Sequence, residues 1–440
     1  MSSVCINHVV WADPLPEPIE EIDLERPVAG GEWSGPTLEV SGSVLGRSAV
    51  AAVEVVHGER VLRRLPVRSR RLELARQRPV REGAERAGFS GLVTTLGLPE
   101  ELSLDLIVVL GGGERVPVAR IEGRRVPLRS AWEPTLQPVL VTTLGRMGST
   151  WMMGLLAAHP RVVAWRRYPY DCRTAKYWLQ VLNTLAEPAA QGEEAGTLHA
   201  DRWWVGVNPF FVPELAREPR PGVGLYAERV AELCMRNIDS WYQDLAHGLI
   251  KEEVRYFAET FAPTRLPPLT RELYPDAKEV FLVRDFRDWI CSILAFDEQR
   301  GVDGVGGRRD EAVEEAVRRH ARDAFTLRDQ WRARQRTSHL VHFEDLVLDP
   351  ETTLRGLLEY LDFEAQPSSV EALIEEARLE SSGYPHHRIP ADARTSVGRW
   401  RRELGTGAQA VAEGVFGEVL EVFGYTNTDR SEKPARALHV

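Results

Sequence analysis

Val139-Leu140-Val141-Thr142-Thr143-Leu144-Gly145-Arg146-Met147-Gly148-Ser149-Thr150-Trp151 decides the reading of this 440-residue chain. An apolar run meets a short loop carrying Gly145, Arg146 and Gly148. An amphipathic segment with Trp151, Met152, Leu155 and Leu156 then runs on to Pro160. Strand, glycine loop and helix start, in that order, aim backbone N–H groups and the positive end of a helix dipole at one point. An oxyanion placed there gains several donors together, and Arg146 adds a fixed charge with a planar fork. The loop lacks the Gly-Lys-Ser/Thr ending of a nucleotide-triphosphatase P-loop, so it offers no residue for the metal ion that ATP chemistry uses. Taken alone, the loop is equally well a plain strand-to-helix turn in which glycine supplies the reversal.

A second stretch shifts that balance. Lys278-Glu279-Val280-Phe281-Leu282-Val283-Arg284-Asp285-Phe286-Arg287-Asp288 reads as another buried parallel strand, with Arg284 at its carboxyl end. Ser292 follows eight residues later on the helix that the spacing predicts. Ligands of open parallel sheets bind outside the carboxyl ends of the strands. Arg284 and Ser292 can therefore converge on a second phosphate. The competing reading of residues 284–288 is a solvated charge cluster capping a helix.

Together these stretches resemble the sulfotransferase family that uses 3′-phosphoadenosine 5′-phosphosulfate (PAPS). In that family the first loop wraps the 5′-phosphosulfate, and here it is Thr143-Leu144-Gly145-Arg146-Met147-Gly148-Ser149-Thr150-Trp151. The family's Arg-Asp-Pro-Arg-Asp element with a following serine holds the 3′-phosphate, matched by Arg284 and Ser292. A Tyr-Glu-Asp-Leu element is matched by Phe343-Glu344-Asp345-Leu346, then Pro350. A C-terminal arginine that closes over the cofactor is matched in Gly398-Arg399-Trp400-Arg401. The resemblance spans roughly residues 136–425.

It implies an α/β fold with a P-loop-like parallel sheet flanked by helices, and sulfuryl transfer to a hydroxyl or amine of a small-molecule or carbohydrate acceptor, with PAPS as co-substrate and no metal. Gly145, Arg146, Met147, Gly148, Ser149, Thr150, Trp151, Arg284, Ser292, Phe343, Arg399 and Trp400 are the implied cofactor contacts, with Arg146 also the catalytic cation. For the general base, Asp171 is the nearest carboxylate after the first helix. Glu259 is its rival, with His386 and His387 behind, and Lys176 is a further cation. Departures matter: Met147 replaces a loop serine, Phe286 a proline and Phe343 a tyrosine. Glu259 is followed by Thr260, so the family's Glu-Lys pair lacks its lysine.

Composition is compatible with this. The net charge of −10 argues against nucleic acid or heparin-like polyanions as general partners. No apolar run approaches the ~20 residues that span a bilayer, so the expectation is a cytoplasmic chain without a membrane partner. The four cysteines are widely spaced, as reduced thiols are. The sequence leaves the oligomeric state open.

Four regions are expected: an extended, solvated arm over 1–30, a β-rich sandwich-like module over 31–134, a sulfotransferase domain over 135–428 and a tail over 429–440. The module, with Thr37–Val44, Leu102–Leu110 and Val116–Ile121 alternating, is expected to fold alone. Residues 186–226, with Trp203, Trp204, Phe210 and Phe211, suit a lid or acceptor-site wall, or equally a loop whose aromatics pin it to the core. Residues 301–307 are expected to move, and residues 310–336 to form a charged helix whose arginines are solvated. Two other functions compete: a P-loop kinase, which requires a loop lysine, and a non-catalytic binding protein on the same fold, which has no use for Arg146, Arg284, Ser292 and Arg399 together.

Overall fold

The computed structural model describes residues 3–71, 76, 84–186, 222–300, 313–381 and 393–425, except positions 59, 166, 168, 169 and 265. The aromatic lid residues Trp203, Trp204, Phe210 and Phe211, residues 301–307, His386, His387 and the tail 429–440 lie outside the described residues. The chain divides into two units. One takes Met1–Glu133, Trp178–Arg236 and Pro268–Leu273; the other takes Pro134–Tyr177, Asn237–Pro267 and Tyr274–Val440.

The first unit is built on nine antiparallel strands: β1 (Ser3–Trp11), β2 (Ile19–Arg26), β3 (Glu32–Ser34), β4 (Thr37–Gly46), β5 (Val50–His57), β6 (Arg60–Pro66), β7 (Gly88–Thr94), β8 (Glu101–Leu110) and β9 (Arg115–Val126). They form a six-stranded sheet, β3-β1-β9-β8-β5-β6, and a three-stranded sheet, β2-β4-β7. Alternate residues of both sheets, among them Val40, Phe89, Val53, Leu104 and Val118, bury into one shared core. Period-2 alternation in a half-buried strand produces this arrangement.

The described part of residues 1–30 is not a solvated arm. β1 pairs with β9 from Ser3↔Val126 to Trp11↔Ala119 and buries Val4 and Ile6 completely. β2 pairs only with β4, at the sheet edge. Its acidic side chains, Glu20, Glu21, Asp23 and Glu25, belong to a strand of which only Ile19 is buried. Charge on an edge strand guards against pairing with another chain, and it also makes the strand look like a linker.

The same unit contains a buried ion pair that the sequence did not announce. Glu272 accepts hydrogen bonds from both terminal nitrogens of Arg125 and from the backbone N–H groups of Gly97 and Leu128. The two side chains are 1% and 5% exposed. A segment cut at 31–134 would lose β1 from between β3 and β9 of the larger sheet and leave Arg125 without Glu272. Independent folding of that segment is therefore not expected after all.

The second unit carries β10 (Gln137–Thr142), β11 (Val162–Val163), β12 (Tyr256–Phe261), β13 (Lys278–Val283) and β14 (His339–His342), all parallel, in the order β11-β12-β10-β13-β14. Among the described residues the α-helices are α1 (Ser149–Ala158), α2 (Thr174–Ala186), α3 (Gly222–Gly248), α4 (Leu266–Leu273), α5 (Phe286–Arg300), α6 (Val313–Arg334), α7 (Phe343–Leu348), α8 (Pro350–Tyr360), α9 (Pro367–Ser381), α10 (Trp400–Glu403) and α11 (Thr406–Val422). Val139, Val141, Val280 and Leu282 pack against α1, α8 and α9 on one face. Phe281 and Val283 pack against α5, α6 and α11 on the other. A parallel sheet covered on both faces explains why its strands read as continuous apolar runs.

The arginines of α6 are not all solvated. Arg334 donates to the fully buried Glu279 of β13 at 2.7 and 3.0 Å, and Thr142 of β10 donates to the same carboxylate at 2.6 Å. Arg328 reaches Glu418 of α11 at 2.7 Å. Among the described residues no helix is long and apolar enough to cross a membrane, and all four cysteines are free thiols.

Removing Glu272 should be costly because it strands a buried guanidinium. Glu272→Ala in the full chain should lose about 3–5 kcal/mol of unfolding free energy, read from urea titration. A loss below 1 kcal/mol would mean that water reaches Arg125.

Candidate active site

The first loop leaves the sheet at its carboxyl edge. Thr143 donates its N–H to the Phe261 carbonyl at 2.9 Å and its hydroxyl to the Leu282 carbonyl at 2.7 Å, so the loop starts pinned to both neighbours of β10. Two residues with positive φ then reverse the chain, Arg146 at 71° and Gly148 at 96°. A left-handed arginine is uncommon, and backbone strain of this kind collects at functional loops. The Arg146 guanidinium stacks 4.4 Å from the centre of the Phe296 ring. Gly145 offers its carbonyl to the Trp289 indole N–H at 2.7 Å, which ties the loop to α5. Gly148 is the N-cap of α1, with no side-chain cap and no acidic residue in the first turn. The donors of that helix end therefore keep their affinity for an anion.

The side chains of Met147 and Trp151 do not belong to the site. Met147 is fully buried among Leu144, Phe281 and Phe286, and Trp151 is buried with the α1 face of the sheet. Only their backbone can face a ligand. The methionine that stands for a loop serine is thus a core residue, while Ser149 and Thr150 remain half-exposed at the helix mouth.

Arg284 sits where β13 ends and is 4% exposed. One terminal nitrogen donates to the Ser396 carbonyl at 2.6 Å, whereas its Nε is buried with no hydrogen-bond partner. Buried polar atoms are almost always satisfied, so an orphan guanidinium N–H points to an absent acceptor. The charges around it are committed elsewhere. Arg287 grips Asp285 through Nε at 3.0 Å and a terminal nitrogen at 2.7 Å. Asp288 accepts from the Gly398 and Trp400 amides at 2.6 and 2.8 Å. Burial pushes the Asp288 carboxyl up to about 6 against the pull of Arg284. Ser292, on α5, is buried.

Phe343 joins the two loops. Its ring presses on Gly148 so closely that an added Cβ there would clash with it, and the Arg284 guanidinium lies 4.5 Å from the ring centre. Next to it, Glu344 is buried, accepts from the Asp285 amide at 2.9 Å and from the Tyr425 hydroxyl at 2.7 Å, and is pushed by burial up to about 7. The fourth stretch lies beside Arg284, held there by Asp288. In it, Arg399 is engaged by Glu403 at 2.6–2.8 Å, and the Arg287 guanidinium stacks 3.9 Å above the Trp400 ring.

The two acid–base candidates have different surroundings. Glu259, on β12, is completely buried and accepts from the Ala175 and Lys176 amides at 2.7 and 3.1 Å and from the Tyr242 hydroxyl. It caps the start of α2. Burial pushes it up to about 7, with those three donors pulling the other way. Asp171 accepts from the Thr260 hydroxyl and the Arg173 amide, so Thr260, standing where the family has lysine, orients this carboxylate. Lys176 lies 5.4 Å from the centre of the Phe261 ring, at the carboxyl edge of β12, with its ammonium pKa lowered by burial. The sequence reading missed Asp288, Glu344 and Trp289 as supports. The first two lay in plain view inside quoted motifs, but their bonds go to amides over fifty residues away.

A sulfotransferase-family model matches residues 138–367, more than half of the chain, and the chain belongs to that family. No curated protein matches it. Among solved structures, it is similar to sulfotransferase STF9 from Mycobacterium avium at 15% identity, over 66% of this chain and 77% of that one, with a TM-score of 0.34. Mouse sulfotransferase SULT7A1 in complex with PAP shares 11% identity over 67% and 86% of the two chains, with a TM-score of 0.38. Retinol dehydratase in complex with androsterone and PAP shares 16% over 76% and 92%, with a TM-score of 0.35.

Two outcomes follow from this geometry. Gly148→Ala should cost about 1–3 kcal/mol, from the left-handed φ and the clash with Phe343. Combined with Phe343→Ala it should cost less than the sum of the single variants, as contacting residues do. Strict additivity in urea titrations would show that the ring does not bear on the glycine.

Glu259 should make stability fall with rising pH. Burial holds the Glu259 carboxyl at about 7, above the ordinary 4.5, so the folded chain keeps an extra proton between these values. Stability from that proton is complete below pH 4.5 and is lost as pH climbs through about 7. Relative to the parent, Glu259→Gln should gain on the order of 1 kcal/mol per pH unit across this window. Melting curves of both proteins at pH 5 and pH 8 check it; parallel curves would be the contrary result.

Proposed function

We propose that this chain transfers the sulfuryl group of PAPS to a hydroxyl or amine of a small-molecule or carbohydrate acceptor, releasing adenosine 3′,5′-bisphosphate. The observation that carries the reading is the buried Arg284 with its unsatisfied Nε, next to an uncapped helix N-terminus and bridged to it by one aromatic ring. Two anion-directed sites so joined suit a ligand with phosphates at both ends of a nucleoside.

In this reading the backbone N–H groups of Gly145–Thr150 hold the 5′-phosphosulfate and Arg146 lies at the transferring end. Arg284 and Ser292 hold the 3′-phosphate, and Arg399 and Trp400 flank it. The bound donor supplies an activated sulfuryl group. The residues of the chain supply position and charge: fixed donors stabilise negative charge developing on the bridging oxygen without reorganising. Asp171 takes the acceptor's proton. Its bonds from the Thr260 hydroxyl and the Arg173 amide orient the carboxylate while leaving lone pairs on it. Glu259, enclosed by the start of α2 and Tyr242, acts as a positioning residue. Trp165, Tyr177 and Trp241, 38%, 71% and 49% exposed, offer aromatic faces on which an acceptor ring can stack.

The test separates binding from chemistry. Arg284→Ala should weaken affinity for adenosine 3′,5′-bisphosphate by roughly 10- to 100-fold and erase its preference over adenosine 5′-phosphate in calorimetry. Arg146→Ala should instead reduce single-turnover transfer at saturating PAPS by on the order of 10²–10³, and Arg146→Lys by less. A parent protein that binds neither nucleotide, or an Arg146→Ala variant with near-normal turnover, defeats the reading.

A further inference from the structure

A carboxylate beside the guanidinium that binds a phosphate ought to weaken that binding. By simple Coulomb reasoning Asp288 competes with the ligand for Arg284. Its bonding geometry points the other way. Both oxygens face backbone: Oδ2 accepts from the Gly398 amide at 2.6 Å and Oδ1 from the Trp400 amide at 2.8 Å. Gly398, at φ +68°, takes the left-handed turn within this short segment. The same segment is held at two further points. The Ser396 carbonyl receives Arg284 at 2.6 Å, and the Trp400 ring receives Arg287 at 3.9 Å. Every one of these contacts runs from residues 284–288 to residues 396–400. Asp288 supplies two of them, and Arg399 lies between its two bonded amides.

Building on the proposed donor site, we infer that Asp288 is a positioning residue: its carboxylate latches the Gly398–Trp400 backbone against the Arg284 pocket, so an acidic side chain raises affinity for an anionic ligand. Binding a chain segment is how the negative charge is used. Each oxygen accepts a backbone N–H, and the orphan Nε of Arg284 is left for the ligand.

Asp288→Asn is the sharpest probe because it keeps shape and removes charge. The amide can accept one of the two N–H groups and must turn an NH2 toward the other. The measurements on the full chain are calorimetric affinities for adenosine 3′,5′-bisphosphate and adenosine 5′-phosphate, the KM for PAPS, and hydrogen exchange at the Gly398 and Trp400 amides. Preference of the parent for the bisphosphate establishes the donor site first; its absence counts against that site, and the latch falls with it.

Given that preference, Asp288→Asn should lose tenfold or more in bisphosphate affinity and little in monophosphate affinity. The PAPS KM should rise while kcat at saturation stays near the parent value, and at least one of the two amides should exchange faster. Unchanged or tighter bisphosphate binding overturns the inference and makes Asp288 a plain counter-charge. If Asp288→Asn does not fold, Gly398→Ala decides. It keeps the carboxylate but strains the left-handed turn, with its added Cβ 2.9 Å from the Arg401 guanidinium. A severalfold loss of bisphosphate affinity supports the latch, and unaltered affinity sinks it.

Discussion

Phe343 presses one edge of its ring on Gly148 and lies against the guanidinium of Arg284, and both anion-directed loops take their position from it. Each loop alone is an ordinary feature, a glycine turn or an arginine at a strand end. Packed on one ring, they meet at the carboxyl edge of a parallel sheet. Gly148 is a glycine for two reasons at once: its φ of 96° and the absence of room for a Cβ. A β-carbon would move the ring, and the ring would move the arginine.

Around this contact the chain uses buried acids as fasteners. Glu344 holds the Asp285 amide, Asp288 holds Gly398 and Trp400, and Glu259 holds the first amides of α2. Glu279 ties Thr142 and Arg334 to the sheet, and Glu272 closes on Arg125 in the other unit. A buried carboxylate offers four lone-pair sites and is costly to leave unsatisfied, so each becomes a rigid junction. In the proposed reaction, loops fixed in advance would let the donors near Arg146 and Arg284 act on a ligand without first being ordered. An overall charge of −10 is compatible with anion binding for this reason. Several of the negative charges are already consumed inside the fold.

Much of this was legible in one dimension. The parallel strands were visible as apolar runs, because a sheet covered on both faces leaves no polar face to alternate. The family was visible because its four stretches sit on loops and helix starts, where local backbone geometry restricts which residues fit. β1 and β2 were not legible as strands. One has few inward residues, and the other is a charged edge, so neither shows the periodicity that a half-buried central strand must have. The side-chain environment of Met147 was not legible, because its neighbours in sequence are loop residues, whereas its neighbours in space are Phe281 and Phe286.

The sequence by itself determined the strand–loop–helix order, the Arg284–Ser292 spacing and the family, since these depend on residues a few positions apart. Tertiary structure alone decided which charges are free to meet a ligand and which are bound within the protein. Arg284 and Arg287 are three residues apart in the same motif, yet one keeps an unsatisfied Nε and the other is closed on Asp285. Glu259 and Asp171 are both acids near the site, yet one caps a helix and the other is oriented by Thr260. The physical reason is the same in each case. A side chain's chemistry follows from how many of its donors and acceptors are already satisfied, and the partners that satisfy them often come from distant parts of the chain.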